Sequence, residues 1–571
     1  MDYDRYMSSS TLSQLFISRS QRLCAYVSET VGSNDDSTFI TFENLLVSLE
    51  DQVVAVEGIR RSFPRSQRMD FRRFKREVYQ SDGGMDALLV WTSIRSFIKG
   101  SIETVIDTTG YLSKEEYLST EHFGKKRCRL STEQREDVFN VFLQYKGYME
   151  DNGLWDDIDR VTALLRRIIE TKQFEPDLFK EVCYDRIYVD EVQDYSQVEC
   201  LLFFYLGGPG NLFLAGDSAQ NVVEGVEFRF EDIRSVGHYI AGHDSSRRKL
   251  IPNKPMTVNI NFRSHAGVLK IAASLLRLMY TAFPNSINRL KEDRGLFTGP
   301  RPGIFYKIRA TTLADLLSST MNGTVILTHD ENVRHWKRNL KYPLVYGIRE
   351  AKGLEFKRVI ILDYFLDLPK SMHNAWRTLM LGKIGHDYIG EDYPEVEGQL
   401  KLLYTAVTRC ISSLFFAETR SSTSGDSFVR WSTSVPNTGG SSGLCTVNNI
   451  QDTKKMEMTR DEWVASGIHN AESAETASGD LSIAMGLLDK AIYCFEQGQS
   501  EILARKARAH RGSIRLRSDL ESILSRSDGA TEQQTKLNDV ALHELEIRGA
   551  HTLESLLASN LLFEARELCV E

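Results

Sequence analysis

Short apolar runs alternate with helically spaced apolar positions over most of the chain. Leu15-Phe16-Ile17 reads as a strand, the polar Ser18-Arg19-Ser20 follows it, and residues 23–31 carry a helical spacing. Thr38-Phe39-Ile40-Thr41-Phe42 repeats the unit and leads into Leu45, Leu46 and Leu49. From about residue 58 to 180 the spacing predicts helices, among them 60–78, 91–98, 138–148 and 158–169. Strands return at Ile187-Tyr188-Val189 and Leu212-Phe213-Leu214-Ala215, with a helix over 198–205 between them. A long apolar helix is predicted over 268–280, strands at 324–328 and 358–363, and a helix over 400–410. Leu414-Phe415-Phe416-Ala417 reads as the closing strand. Strands that alternate with helices predict the α/β class.

The pattern then changes. Residues 420–446 are rich in Ser, Thr and Gly, including Gly439-Gly440-Ser441-Ser442-Gly443, which reads as a flexible linker. Beyond it only helices are predicted. Ala484, Leu487, Leu488, Ala491, Ile492 and Phe495 share one face, and Leu503, Ala504 and Ala507 mark a further helix. Helix pairs of this kind suggest an all-α hairpin module.

Composition narrows the picture. The length of 571 residues predicts several domains. A net charge of −8 does not advertise nucleic-acid binding, although a local basic groove suffices for phosphate contacts. Residues 60–78 mix Arg and Lys with Phe63, Phe71 and Phe74. Such a stretch is either a nucleic-acid surface with stacking rings or a helix with a packed aromatic face. The eight cysteines are scattered without a Cys-x-x-Cys pair, which fits a reducing compartment and argues against a zinc site. Met1-Asp2-Tyr3-Asp4-Arg5 shows no secretory signal, and the uncharged stretch 200–216 is broken by Gly207-Gly208-Pro209-Gly210. The expectation is a soluble intracellular protein with no membrane partner.

The chemistry starts at Asp190 and Glu191, directly after the 187–189 strand. Acids at the carboxyl end of a parallel strand face the crevice where open α/β sheets bind ligands. One can hold Mg²⁺ on nucleotide phosphates while its neighbour orients a water; a solvated acidic turn is the alternative. Four loaded segments follow: Gly216-Asp217-Ser218-Ala219-Gln220, Asn261-Phe262-Arg263-Ser264, Glu350-Ala351-Lys352-Gly353-Leu354-Glu355-Phe356 and Tyr404-Thr405-Ala406-Val407-Thr408-Arg409. With Asp190-Glu191-Val192-Gln193-Asp194, and in this order, they resemble motifs II to VI of UvrD/Rep-type superfamily 1 helicases over roughly residues 10–420. Phe228 to Arg234 and Glu462 to Gly467 are similar to the helicase-like region of TPR and ankyrin repeat-containing proteins.

The resemblance implies roles. Asp190 would hold Mg²⁺ and Glu191 would polarise the attacking water, while Gln220 would sense the γ-phosphate. Arg263 and Arg409 would be arginine fingers from the other domain. Asp217, Lys352, Gly353 and Glu355 would lie by the nucleotide, Glu355 near the ribose hydroxyl. ATP and Mg²⁺ are the implied cofactors, single-stranded DNA or RNA the implied partner.

Departures limit the match. No Gly-x-x-x-x-Gly-Lys-Ser/Thr occurs; Gly124-Lys125-Lys126 and Gly382-Lys383-Ile384 lack both the preceding Gly and the following hydroxyl. The expectation is a chain that begins just after its P-loop. Where the family carries a base-contacting aromatic and Arg, this chain has Gly225 and Val226; where motif V leads with Thr and His, it has Gly347 and Arg349.

The expected architecture is two RecA-like, P-loop NTPase-type α/β domains. Residues 1–56 and 180–250 would form the first, 57–179 a helical insertion, and 251–420 the second. A linker at 421–450 would join them to a helical, TPR-like domain at 451–571. The expected function is an ATP-dependent UvrD-like helicase or translocase. The alternative is a degenerate helicase fold that acts as a scaffold, binding proteins through its C-terminal helices.

Overall fold

The computed structural model describes residues 12–527, apart from 32–35, 80–83, 107–108, 120–129, 253, 262, 285–286, 288–291, 296–298, 382–392, 394, 435–443, 448–458 and 478–480. Gly124 to Lys126, Gly382 to Ile384, Phe262, the Gly439 to Gly443 run and the tail after Ser527 lie outside the described residues.

The chain is mixed α/β with two parallel sheets. Strands β1 (Gln14–Ser18), β2 (Ser37–Thr41), β3 (Arg186–Val189) and β4 (Leu212–Leu214) form the first, in the order β2-β1-β3-β4. All its pairings are parallel, so helices must cross between the strands: Gln21–Val31 from β1 to β2, and Gln197–Gly207 from β3 to β4. From β1 the chain steps outward to β2, then returns on the other side of β1 as β3. That reversal opens a crevice at the carboxyl ends of β1 and β3. Leu15, Ile17, Ile187 and Val189 bury their side chains against Leu45, Leu46 and Leu201.

Residues 57–182 form a mainly helical unit between β2 and β3. The helix expected over 60–78 starts only at Phe71 and ends at Glu77. Pro64 is itself extended (φ −61°, ψ 132°), and Asp70 caps the helix by accepting from the Arg73 N–H at 2.8 Å. Phe74 is fully buried, and Phe63, before the helix, meets Trp155 edge-on at 5.3 Å. Phe71 is half-buried and tilts against Trp91 at 6.4 Å. Helix Ala87–Ser93 continues into a π-helical turn, Ile94–Lys99. Lys99 Nζ lies 2.6 Å from both Asp156 Oδ2 and Asp159 Oδ1, and the Tyr145 hydroxyl donates to Asp156 at 2.5 Å.

A small pair, β5 (Ile260–Asn261) and β6 (Arg294–Gly295), precedes the second large sheet. That sheet holds β7 (Gly303–Tyr306), β8 (Val325–Thr328), β9 (Val345–Gly347), β10 (Phe356–Leu362), β11 (Cys410–Glu418) and β12 (Cys445–Thr446). The order is β12-β7-β11-β10-β8-β9, and every pairing is parallel. The strand expected to close the domain, β11, therefore sits inside the sheet. The stretch expected to be a linker contains helix Thr423–Ser434, whose buried Phe428 stacks on Phe365 at 4.3 Å, followed by β12. A few apolar residues in a Ser/Thr-rich segment suffice to seat it on this core.

Helices Arg460–Thr476, Leu481–Gln497 and Glu501–Ser527 complete the described chain. Ala484, Leu487, Leu488, Ala491, Phe495, Ala504 and Ala507 form their common core. A Cβ on Gly467 would collide with the Phe495 ring, so that glycine sets the helix spacing. The module touches the second sheet's unit where the Lys357 ammonium donates to Gln497 Oε1 and lies 5.6 Å over the Trp463 ring. No helix among the described residues is long and apolar enough to cross a membrane.

Candidate functional site

The site is built on the end of β3. Asp190 still belongs to the sheet, its N–H donating to the Ile17 carbonyl at 3.1 Å. At Glu191 the backbone turns left-handed (φ 53°) and enters a 3₁₀ turn over Val192–Asp194. A non-glycine residue in that region costs of order 1 kcal/mol or more. Contacts on both sides hold it there. Gln193 Nε2 donates to Glu191 Oε2, and Gln193 Oε1 accepts the Asp217 N–H at 3.0 Å. A Cβ on Gly216 would collide with that same oxygen, so the glycine is required for the approach.

Asp217 caps the 3₁₀ turn Ser218–Gln220. Its carboxylate accepts from the Ala219 N–H at 2.9 Å, from Gln220 Nε2 at 3.0 Å and from the Tyr404 hydroxyl at 3.2 Å. Tyr404 belongs to the second sheet's unit, so this is one contact across the two. Arg409 makes another: its Nη2 donates to Gln220 Oε1 at 2.5 Å. Nε and Nη1 donate to the Thr405 and Leu354 carbonyls at 3.1 and 3.3 Å, which fixes the guanidinium. Burial lowers the Arg409 pKa and raises that of Asp217.

Lys352 makes the third crossing. Its ammonium donates to Asp194 Oδ1 and lies 3.6 Å from Glu191 Oε2. Gly353, at φ 75°, supplies the left-handed turn after it. Arg263 pairs with Glu355 within the second unit, and both side chains are partly exposed. Arg409 lies within electrostatic range of Glu191, Arg263 and Glu355, and Asp190 within range of Lys352 and Arg263. All nine candidate residues thus gather in one region between the sheets.

Burial, then the neighbouring Glu191 charge, raises the Asp190 pKa. A cation would relieve both effects, and a hard ion such as Mg²⁺ takes one or two carboxylates and fills its remaining positions with water or phosphate. Asp190 fits such a ligand. Among the described residues no cluster of three or more His, Cys, Asp or Glu forms a closed metal cage.

Sequence reasoning left Asp194, Gln193, Tyr404 and Arg19 without roles. The first three lay inside quoted motifs. Arg19 carried no local signal, yet it donates to the Asp194 carbonyl at 2.9 Å and to Glu199 Oε1 at 2.7 Å, its guanidinium over the Tyr195 ring. Gly225 and Gly347 have steric reasons. A Cβ on Gly225 would collide with Trp91 and Arg95 of the helical unit, and one on Gly347 with Asp330. Arg349 bonds Asp330 Oδ2 at 3.0 Å and the Val222 carbonyl at 3.1 Å.

Asp194 has a testable titration. Burial pushes its pKa up to about 6 against the pull of Lys352. The unfolded carboxyl releases its proton near 3.9, so the folded state holds the extra proton between these values. The resulting stability is fully present below about pH 4 and lost as pH rises through about 6. The loss is roughly 3 kcal/mol at most. Thermal unfolding from pH 4 to 7 should show a component that disappears in Asp194→Asn; an unchanged profile would overturn the assignment.

No protein-family model matches the chain. Among curated proteins it is similar to TPR and ankyrin repeat-containing protein 1 of Homo sapiens, 31% identical over 392 residues. The match covers 61% of this chain and 13% of that protein.

Proposed function

We propose that the chain carries the ATP-hydrolysing core of a UvrD-like helicase or translocase, with two RecA-like units closing on Mg²⁺-ATP. One observation carries the reading: Lys352 and Arg409 of the second sheet's unit meet Glu191, Asp194 and Gln220 at the carboxyl ends of the first sheet. Held by Asp190, Mg²⁺ would neutralise phosphate charge. Glu191 would take the proton of a water whose oxygen bonds to the γ-phosphorus while the β–γ bridging bond breaks. Arg263 and Arg409 would hold the charge on the transferred group, and Gln220, bonded to Arg409, would link its state to the domain contact. Single-stranded nucleic acid is the track that the resemblance implies.

The test is phosphate release by the full chain with Mg²⁺-ATP, with and without single-stranded DNA or RNA. Turnover that falls at least a hundredfold in Glu191→Gln is the expected result. Absence of turnover would leave the second reading, a degenerate fold used as a scaffold. That reading draws on the glycines at 225 and 347, and on the C-terminal helices, which would bind protein partners in keeping with the repeat-containing relative.

A further inference from the structure

The segment from Asp217 to Glu227 touches all three units of the fold. It leaves the first sheet at Asp217, whose N–H donates to Gln193 Oε1 at 3.0 Å. Ala219 and Val222 then bury their side chains in the apolar core of the second sheet's unit. From that unit Arg409 donates to Gln220 Oε1 at 2.5 Å, and Arg349 to the Val222 carbonyl at 3.1 Å.

The far end of the segment belongs to the helical unit. Ser96, 4% exposed, uses its hydroxyl in both senses there. It donates to the Gly225 carbonyl at 3.1 Å and accepts the Glu227 N–H at 2.7 Å. Arg95 Nη1 donates to the Glu224 carbonyl at 3.1 Å. Gly225 stands at φ 83°, and a Cβ on it would lie 2.7 Å from Trp91 Nε1 and 2.8 Å from Arg95 Cδ. Only glycine allows so close an approach at that φ. The π-helical turn Ile94–Lys99 carries Arg95 and Ser96, and Lys99 ties it to Asp156 and Asp159.

Little slack separates the two ends. Asn221 Nδ2 donates to the Val226 carbonyl at 3.0 Å, and the Val226 N–H to the Val223 carbonyl at 3.3 Å. Residues 221–226 are thereby closed into one loop, which moves as a piece when residue 225 moves. Gln220 is the next residue in the chain. We propose that Ser96 is a positioning residue for the Gln220–Arg409 contact: two hydrogen bonds of one buried hydroxyl let the helical unit set the loop, and the loop sets the side chain that Arg409 holds between the sheets. The effect on turnover rests on the ATPase reading above; the positioning itself does not.

Hydrogen exchange on the full chain without nucleotide reads the positioning directly. Ser96 bonds residues 225 and 227, so a local role would speed exchange at 224–227 alone. Positioning predicts that Ser96→Ala also speeds the amides of 218–222 severalfold. Ser113→Ala, which removes the cap of helix Lys114–Leu118 in the same unit, should leave 218–222 unchanged. Gly225→Ala pushes on the loop from its own side; it should give the same pattern and serves if Ser96→Ala unfolds. In phosphate release, Ser96→Ala should lower kcat about tenfold and leave the KM for ATP within about twofold. Combined with Gln220→Ala it should lower kcat no further than Gln220→Ala alone. The proposal is overturned if faster exchange stays within 224–227, if Ser113→Ala speeds 218–222 as much, or if the two substitutions multiply in kcat. A wild type that releases no phosphate overturns the ATPase reading instead, and the exchange result then decides the positioning by itself.

Discussion

Under the proposed ATP hydrolysis, Arg263→Ala and Arg409→Ala should each lower turnover about 10³-fold or more, yet only the second should destabilise the fold. The rate estimate is the usual worth of an arginine that meets the charge of phosphoryl transfer. The difference in stability comes from their surroundings. Arg263 is about half exposed and pairs with the partly exposed Glu355, so its loss should cost within roughly 0.5 kcal/mol. Arg409 is 2% exposed and satisfies Gln220 and the carbonyls of Thr405 and Leu354. Removing it strands buried acceptors at about 1–3 kcal/mol each. Phosphate release and calorimetry on the two variants separate the effects. Full turnover in Arg263→Ala would remove it from the site.

The second large effect is expected far from the acids. Lys99→Ala should destabilise the protein by about 3–5 kcal/mol, because it strands a buried carboxylate. Asp156 is 0% exposed and has Lys99 Nζ at 2.6 Å and the Tyr145 hydroxyl at 2.5 Å. The π-helical turn that carries Lys99 also carries Ser96, whose hydroxyl donates to the Gly225 carbonyl at 3.1 Å and accepts the Glu227 N–H at 2.7 Å. Arg95 reaches the Glu224 carbonyl at 3.1 Å. The charge cluster therefore also supports the segment 224–227. Urea unfolding measures the loss, and Lys99→Met with Asp156→Asn should recover part of it by leaving no buried charge. A loss below about 1 kcal/mol in Lys99→Ala would contradict the burial argument.

Residue order alone carried much of the architecture. Leu15-Phe16-Ile17 and Ile187-Tyr188-Val189 are strand-like runs in which alternate side chains enter the core, and they became β1 and β3. Asp190 and Glu191 stood out because acids directly follow such a run. β7, β9 and β12 were not anticipated, since runs of two to four residues become strands only when a neighbour offers its edge. Phe428 shows the same limit: a Ser/Thr-rich helix is seated by a ring that finds Phe365 and Phe416, with Val429 and Trp431 packed beside it.

Local pattern thus determines the parallel α/β elements, the acids at the end of β3 and the apolar face of the C-terminal helices, because backbone periodicity and burial act over a few residues. Which cation meets which acid is decided only in three dimensions. Lys352 reaches Asp194 across 158 positions and Arg409 reaches Gln220 across 189, and nothing near any of the four foretells its partner. Strand register and sheet packing set those distances, and with them the pKa of Asp194. The same packing brings Trp91 and Arg95 onto Gly225 and Asp330 onto Gly347.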